Sequence, residues 1–374
     1  MNRSSYIAGC IFSACLAGSV SVQAEEAGTA QFGDTTVSFG VGTTMLTLPD
    51  VTSMVTRTTS TPPFPILQSF KFSDDFYEET GWNLNGSIET PFGADNAIAF
   101  RGFWGRIEGG DDFTCTGSLA PQTNCLIAPL FDDPAVNQIG GTLGANSITS
   151  NADRTVDIWG GSVETKWFGA PERMGIANGH TGGYFSVGAD IRGIYQDLDV
   201  RMNATTGAAI NYNEELDTTY YGAFVAYGSN YSQLLFGSLW EKLGLESSFR
   251  VQGGVYYANT DYSGNLSHSA PFPGGGGDPS GALSLSSDDA AFIGGLTLET
   301  RKHLSPRTML SLKSTYEYYS WVPKMAYNNT STGGVNLTNA SRQVGTEIGS
   351  DDAFSMSTML TLTIGLGPDS LFKQ

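Results

Sequence analysis

Residues 354–366 read Phe354-Ser355-Met356-Ser357-Thr358-Met359-Leu360-Thr361-Leu362-Thr363-Ile364-Gly365-Leu366. Phe354, Met356, Thr358, Leu360, Leu362, Ile364 and Leu366 share one parity. Ser355, Ser357, Met359, Thr361, Thr363 and Gly365 share the other. Successive side chains of an extended chain leave opposite faces, so this pattern predicts a strand with one apolar face and one face of mostly small or polar groups. It is also longer than the ~5–6 residues usual for strands in globular domains. The stretch 306–322 repeats the pattern, with Leu310, Leu312, Tyr316, Tyr318 and Val322 against Ser311, Lys313, Thr315, Glu317 and Tyr319.

Working outward, the same two-residue period marks ten segments: 35–48, 78–90, 96–108, 150–168, 182–198, 214–228, 245–262, 287–302, 306–322 and 350–366. In the fourth, Val156 and Ile158 set a phase that fails at Gly160-Gly161 and resumes as Val163, Thr165 and Trp167, which predicts a β-bulge at the glycines. The connections alternate as well. Those at 49–77, 109–149, 199–213, 263–286 and 323–349 are long and rich in Asn, Thr, Ser, Gly and Asp, whereas 91–95, 169–181, 229–244 and 303–305 are shorter. In the longest of the short set, Leu235, Phe236, Leu239, Trp240 and Leu243 fall at helical spacing, which predicts a short amphipathic helix. Residues 51–60 and 65–72 have weak strand character and would make twelve strands if they joined the others. Loop 109–149 is long enough to hold a small fold of its own.

The chain carries 19 Lys plus Arg against 37 Asp plus Glu, a formal net charge of -18, with 40% hydrophobic residues and 11% aromatic ones. The aromatic content excludes a disordered chain. The acidic balance argues against nucleic acid as a partner, since phosphate contacts need clustered Lys and Arg. A helical membrane protein is excluded too, because outside the extreme N-terminus nothing approaches the ~18 consecutive apolar residues a spanning helix needs.

That N-terminus reads as an export signal over residues 1–24. Arg3 supplies the charge, Ile7 to Val22 the apolar stretch, and Val22-Gln23-Ala24 a small-residue cleavage site before Glu25-Glu26. A rival cleavage box is Phe12-Ser13-Ala14-Cys15, of lipoprotein type. Residues 25–374 then form one domain. Cys10 and Cys15 leave with the signal, and Cys115 and Cys125 remain in a loop of an exported protein. An oxidising compartment makes a Cys115–Cys125 disulfide the expectation, stabilising by at most about 3 kcal/mol for so short a loop.

An export signal, an even number of long alternating segments, and long loops on one side against short turns on the other resemble the Gram-negative outer-membrane β-barrel proteins. The resemblance covers nearly all of 31–366 and is one of pattern, without a diagnostic motif. The chain ends Leu371-Phe372-Lys373-Gln374, where such proteins usually finish on an aromatic residue. The class implies an all-β fold, a transmembrane antiparallel barrel of ten strands with both ends on the periplasmic side. Implied partners are outer-membrane lipid, lipopolysaccharide and the barrel-assembly machinery, with a monomer expected. Val37, Phe39, Leu84, Ile98, Val187, Ile191, Val251 and Val255 would face lipid. Trp82, Trp104, Tyr195, Tyr257, Tyr318 and Phe354 would border it on the loop side, and Trp167, Phe168, Phe185 and Phe249 on the turn side.

The opposite parity would line the lumen, and it carries Glu89, Arg101, Glu164, Lys166, Asp190, Arg192, Glu246, Arg250, Glu299, Arg301, Lys313 and Glu317. These charges balance, and ten strands make a narrow barrel, between side-chain-filled eight-strand barrels and open sixteen-strand porins. Two functions follow as expectations. One is a narrow porin-like channel for small hydrophilic solutes. The other is a closed barrel acting through its long loops as an adhesin, binding protein or envelope-structural element. Inward Gly and Ser would leave room for the channel.

Catalysis is not expected. Omptin-like proteases place Asp-x-His at the rim, but His268, in Asn265-Leu266-Ser267-His268-Ser269, has no acid two residues before it. His268-Ser269-Ala270 does not fit the His-x-Ser of barrel lipid hydrolases, and His180 and His303 lie in short turns. No cofactor is implied. Acidic pairs recur at Asp74-Asp75, Asp111-Asp112, Asp132-Asp133, Asp288-Asp289 and Asp351-Asp352. Adjacent strand side chains point apart and no calcium-loop spacing appears, so a solvated acidic rim is the plainer reading.

Overall fold

The computed structural model describes residues 35–48, 51–59, 68–72, 80–92, 95–116, 118–119, 122–127, 147–169, 183–204, 209–230, 242–268, 281–329 and 344–366. The export signal, the 235–240 part of the expected helix, Asp74-Asp75, Asp132-Asp133, His180 and the last eight residues lie outside them.

Strand β1 is Thr36–Leu46, β2 Val51–Thr59, β3 Gln68–Phe72, β4 Thr80–Pro91 and β5 Asn96–Thr116. Then come β6 Ser118–Leu119, β7 Gln122–Ile127, β8 Ser147–Phe168, β9 Tyr184–Ala204 and β10 Ala209–Asn230. The last four are β11 Leu245–His268, β12 Gly281–Ser305, β13 Thr308–Asn329 and β14 Val344–Gly365. Ten of them close a barrel in the order β1-β14-β13-β12-β11-β10-β9-β8-β5-β4. Each neighbour is antiparallel, and the ring closes where Thr36 pairs with Gly365 and Leu46 with Ser355. Among the described residues no helix is long and apolar enough to cross a membrane.

The count is ten, and the added hairpin does not make it twelve. Strands β2 and β3 do pair, but β2 turns its other edge to β7, with Arg57 opposite Cys125, in a separate four-stranded sheet β3-β2-β7-β6. Loop 109–149 thus contributes β6 and β7 to that sheet, while Gly109 to Thr116 extend β5 along β8 in the barrel wall. The side chains of Cys115 and Cys125 lie outside the described ones, so the disulfide expectation has no structural counterpart here.

The wall is apolar on its outside. Phe39, Val41, Ile88, Phe100, Val163, Val187, Val225, Val251, Val255, Leu312, Leu360 and Ile364 are all exposed. Such a continuous band is what lipid requires, and closure leaves no barrel edge unpaired within it. Aromatic contacts border the band. Trp82 meets Trp104 edge-on at 4.6 Å and Tyr318 meets Phe354 at 5.1 Å on the loop side. Trp167 stacks on Phe185 at 6.4 Å on the turn side. Phe168 departs from its expected place: it takes the inward parity, packs on Tyr184 at 5.8 Å and lines the lumen.

Above the band the strands continue and their pattern inverts. In β8, Val163, Thr165 and Trp167 point outward, whereas Val156 and Ile158 are buried inside, with Asp153 and Asp157 outside. The pairing of β8 with β5 and β9 runs unbroken from Ser147 to Trp167. There is no bulge at Gly160-Gly161. The parity is constant, and what changes is the solvent outside the wall, from lipid to water. For the same reason much of the expected loop sequence is strand. Leu198, Val200 and Met202 are buried inside β9 while Asp199 and Arg201 face out. At ~3.3 Å per residue and a tilt near 40°, a 22-residue strand such as β8 rises ~55 Å, about twice the ~25 Å apolar band. Among the described barrel strands the register shifts instead between His303 and Ser305 at the β12–β13 turn, and in β13, where the register to β14 shifts between Tyr319 and Val322. The shift in β13 turns Val322, expected on the outer face, fully inward.

Candidate functional site

The lumen is built in storeys. At the height where the wall emerges from lipid, a single cluster of buried side chains draws on nine of the ten strands, including Leu46, Ile107, Val156, Ile194, Tyr220, Tyr256, Ile293, Tyr319, Trp321 and Ala353. Its members meet across the lumen. The rings of Tyr220 on β10 and Tyr319 on β13 lie 6.0 Å apart, and the Tyr220 hydroxyl donates to the Trp321 carbonyl at 3.1 Å. Higher up, Leu216 and Tyr262 form a second packed group with Leu285 and Ile348. The sequence did not announce this layer. Its residues fall within the expected strands, but on the inward parity, where polar groups were expected and where Tyr and Ala give no signal of a packed layer.

Directly beneath lies a polar storey centred on Arg192. Its guanidinium pairs with Asp190, and donates to Glu317 at 3.1 Å and to the Tyr319 hydroxyl at 3.1 Å. The Tyr256 hydroxyl donates to Asp190 at 3.0 Å and that of Tyr319 to Glu317 at 3.1 Å. The rings of Phe103, Tyr256 and Tyr319 surround the cation at 5.5–5.9 Å. Arg192 on β9 thus ties β5, β11 and β13 together across the lumen.

A second storey, nearer the turns, is centred on the fully buried carboxylate of Glu164. Arg101 approaches it at 2.5 Å, Arg250 at 2.6 Å and Lys166 at 3.8 Å, and Ser186 donates to it at 3.3 Å. Lys166 also pairs with Glu89. At the turn-side rim Arg301 donates to Glu246 at 2.9 Å, with His303 3.8 Å from the same carboxylate. Glu299 and Lys313 stand directly opposite in the β12–β13 register, yet they form no ion pair within 4.0 Å. All twelve charges therefore sit on inward positions, and ten of them are joined in these three groups.

Room left by inward glycines is taken by rings from neighbouring strands. A Cβ on Gly160 would meet the Phe103 ring at 2.5 Å, and one on Gly188 would collide with Phe224. Among the described residues a cavity of about 390 Å³ stays open. It runs from the apolar layer at Leu46, Ile158 and Ile194 down to Thr36, Gly169 and Thr363 at the turn end. The lumen is a cup facing the turns, roofed by the apolar layer.

On the outside, above lipid, carboxylates stand opposite one another: Asp153 to Asp199, Asp197 to Glu215 and Asp217 to Asp261. Partial burial, with the neighbouring Asp261, holds the Asp217 carboxyl above its ordinary range; burial and Asp199 do the same for Asp197. The Asn213 amide relieves part of this by donating to Asp197 at 3.0 Å and Asp199 at 3.1 Å. Of the acidic pairs noted in the sequence, Asp112 accepts from Asn151 at 2.6 Å and Asp351 pairs with Lys324 at 2.6 Å. Asp289 accepts from the Ala290 amide at 2.7 Å. Among the described residues no group of three or more His, Cys, Asp or Glu is arranged to hold a metal ion.

No family model matches the chain, and no curated protein does. Among solved structures it is similar to the outer membrane protease OmpT from Escherichia coli, with 9% identity and a TM-score of 0.37 over 90% of this chain and 97% of that one. It is also similar to the translocator domain of autotransporter NalP from Neisseria meningitidis, with 12% identity and a TM-score of 0.35 over 97% and 96%. A third is the attachment invasion locus protein Ail of Yersinia pestis, with 9% identity and a TM-score of 0.22 over 88% and 99%. Likenesses this distant carry no functional argument, and the assignment rests on the molecule's own geometry. A closed antiparallel ring of ten, an apolar outer band with aromatic borders, and a charged interior together make this chain an outer-membrane β-barrel protein.

Proposed function

We propose that the protein is a barrel closed to through-passage that works at the cell surface, as a binding or envelope-stabilising element carried on its extended strands and loops. The observation that carries this reading is the apolar layer across the lumen, drawn from nine strands and including Tyr220, Ile107, Ile293 and Val322, each at or below 1% exposure. A hydrophobic constriction of packed side chains does not wet, and an ion crossing it would lose its hydration with nothing to replace it. The narrow-channel reading needs a continuous polar path, and the polar cup supports only the lower part of one. The strands that rise beyond the lipid band give the β2–β3–β6–β7 sheet and the loops a rigid base, and binding surfaces sit on loops held by such scaffolds.

The reading is non-catalytic. His303 lies at the turn-side rim beside Glu246, remote from the cell-surface end. Lipopolysaccharide and the barrel-assembly machinery remain the partners the class implies, with a monomeric state. Conductance of the purified protein in planar bilayers tests the proposal: an electrically silent barrel is expected, and steady openings of the parent protein overturn it. A Tyr220→Ala, Tyr319→Ala double variant, which strips two rings from the layer, serves as the conducting control.

A further inference from the structure

We propose that the turn-facing cup binds a small oxyanion, a phosphate or carboxylate group, with Lys313 as its principal charge partner. This goes beyond the surface role proposed above and does not depend on it, since the cup lies below the apolar layer whatever the loops do.

The inward charges divide unevenly along the lumen. Over the twelve inward charges named above six acids and six bases balance, but the storeys do not. Around Arg192 stand two carboxylates, Asp190 and Glu317. In the lower storey four cations, Arg101, Lys166, Arg250 and Lys313, share three carboxylates, Glu89, Glu164 and Glu299. Glu164 is fully committed, with three of those cations within 4 Å. Lys313 makes no ion pair and no hydrogen bond with any described residue. Its charged neighbours are Arg101, Glu299, Arg250 and Lys166, three of them cations. It lines the cavity, as do Arg101 and Arg250, and the Nε of Arg250 has no partner.

An ammonium held among like charges in a partly desolvated space is unfavourable unless an anion joins it. Had Lys313 served only to neutralise Glu299, directly across the register, the two would touch; they do not. Lys313 therefore lines open volume with no protein acceptor for its ammonium, and the Arg101 and Arg250 guanidinium groups stand beside it along the same lining. That volume is about 390 Å³, enough for a phosphate or a small organic acid, and among the described residues its lining reaches the turn-side rim. A guanidinium recognises the planar or tetrahedral oxygens of such groups by paired donors, and an ammonium adds a point charge.

The test uses the full-length barrel in detergent, titrated calorimetrically with inorganic phosphate and separately with acetate against a chloride background. Saturable binding of at least one oxyanion is expected, weakened about tenfold or more in Lys313→Gln, a loss typical of removing one charged contact. Lys324→Gln, on the outer crown, is expected to bind like the parent. Without added oxyanion, Lys313→Gln is expected to be at least as heat-stable as the parent, because it relieves the crowding of cations; a purely structural lysine would lower that stability, and such a result overturns the proposal. If the variant does not assemble, the parent decides: its unfolding midpoint must rise with phosphate at constant ionic strength, as ligand linkage requires. Absence of that rise, no saturable binding up to about 10 mM, or undiminished binding in Lys313→Gln overturns it. Repeating the titration in nanodiscs with anionic lipid separates the sources. Unchanged phosphate affinity assigns the site to a solute, competition assigns it to a lipid headgroup, and both support an oxyanion site.

Discussion

Replacing Arg192 by Met should be among the most damaging single changes in the barrel. The Arg192 side chain is 6% exposed and that of Asp190 3%, so neither is rescued by bulk water. Met removes the charge and the donors to Asp190, Glu317 and Tyr319 while filling much of the same volume. Asp190 would keep one donor, the Tyr256 hydroxyl, and Glu317 would keep Tyr319 and a weak 3.5 Å contact from Gln252. Two carboxylates would then share a low-dielectric storey with no cation. Breaking a buried ion pair from one side costs about 3–5 kcal/mol, and the surviving hydroxyl donors place the expectation near 4 kcal/mol. Urea unfolding of the vesicle-inserted protein, followed by tryptophan fluorescence, measures it. Lys324→Ala breaks an exposed pair with Asp351 and should cost under about 1 kcal/mol in the same assay. A double-mutant cycle with Glu317→Gln should show coupling above about 1 kcal/mol, since the two side chains touch. Additive effects, or a loss in Arg192→Met no greater than in Lys324→Ala, would refute the assignment of Arg192 as the tie across the lumen.

Ile107→Ala, in the apolar layer at 1% exposure, should destabilise by about 2–5 kcal/mol in the same unfolding assay, with no loss of outer-membrane insertion. Gly222→Ala places a methyl group 2.5 Å from the Val255 carbonyl oxygen and against the Tyr256 ring, so overpacking should cost about 1–3 kcal/mol. Asp217 holds its proton more tightly in the folded barrel than in the unfolded chain, so the folded state loses stability as pH rises from the ordinary Asp value of 3.8 through the raised one. Asp217→Asn should remove that slope and gain a few tenths of a kcal/mol at neutral pH by separating a like-charge cross-strand pair, read from unfolding midpoints across pH 3–7.

The strand count was legible because lipid imposes a one-sided code: Phe354 to Leu366 face out by parity alone. The same code hid the upper half of the barrel. Leu198, Val200 and Met202 alternate as cleanly as Leu360 and Leu362, but with charged Asp199 and Arg201 between them, so beyond Leu198 the pattern reads as loop and, at Gly160, as a bulge. The shift in β13 falls at Ser320-Trp321, between Tyr319 and Val322, where no glycine flags it. Inward charge was legible from parity too, yet pairing was not. Lys313 opposite Glu299 reads as an ion pair in any register table, and only the long side chains' reach across the lumen decides otherwise. The apolar roof was invisible for the same reason: it is made of contacts between β10 and β13, which are not neighbours in the wall.

The seam between β1 and β14 has its own consequence for how such a chain comes into being. Thr36 must find Gly365, so the first and last strands depend on each other for completion. Loop-closure entropy rises only with the logarithm of length, so even a hundredfold longer loop adds about 4 kcal/mol, which the paired seam easily outweighs. The harder constraint is order. Until residues past 350 have been exported, β1 and β13 both carry bare hydrogen-bonding edges, and bare edges template aggregation. A chain truncated before β14 therefore leaves an open ribbon, not a slightly smaller barrel. Export has to deliver nearly the whole polypeptide, held apart from its neighbours, before any of it becomes stable in the membrane.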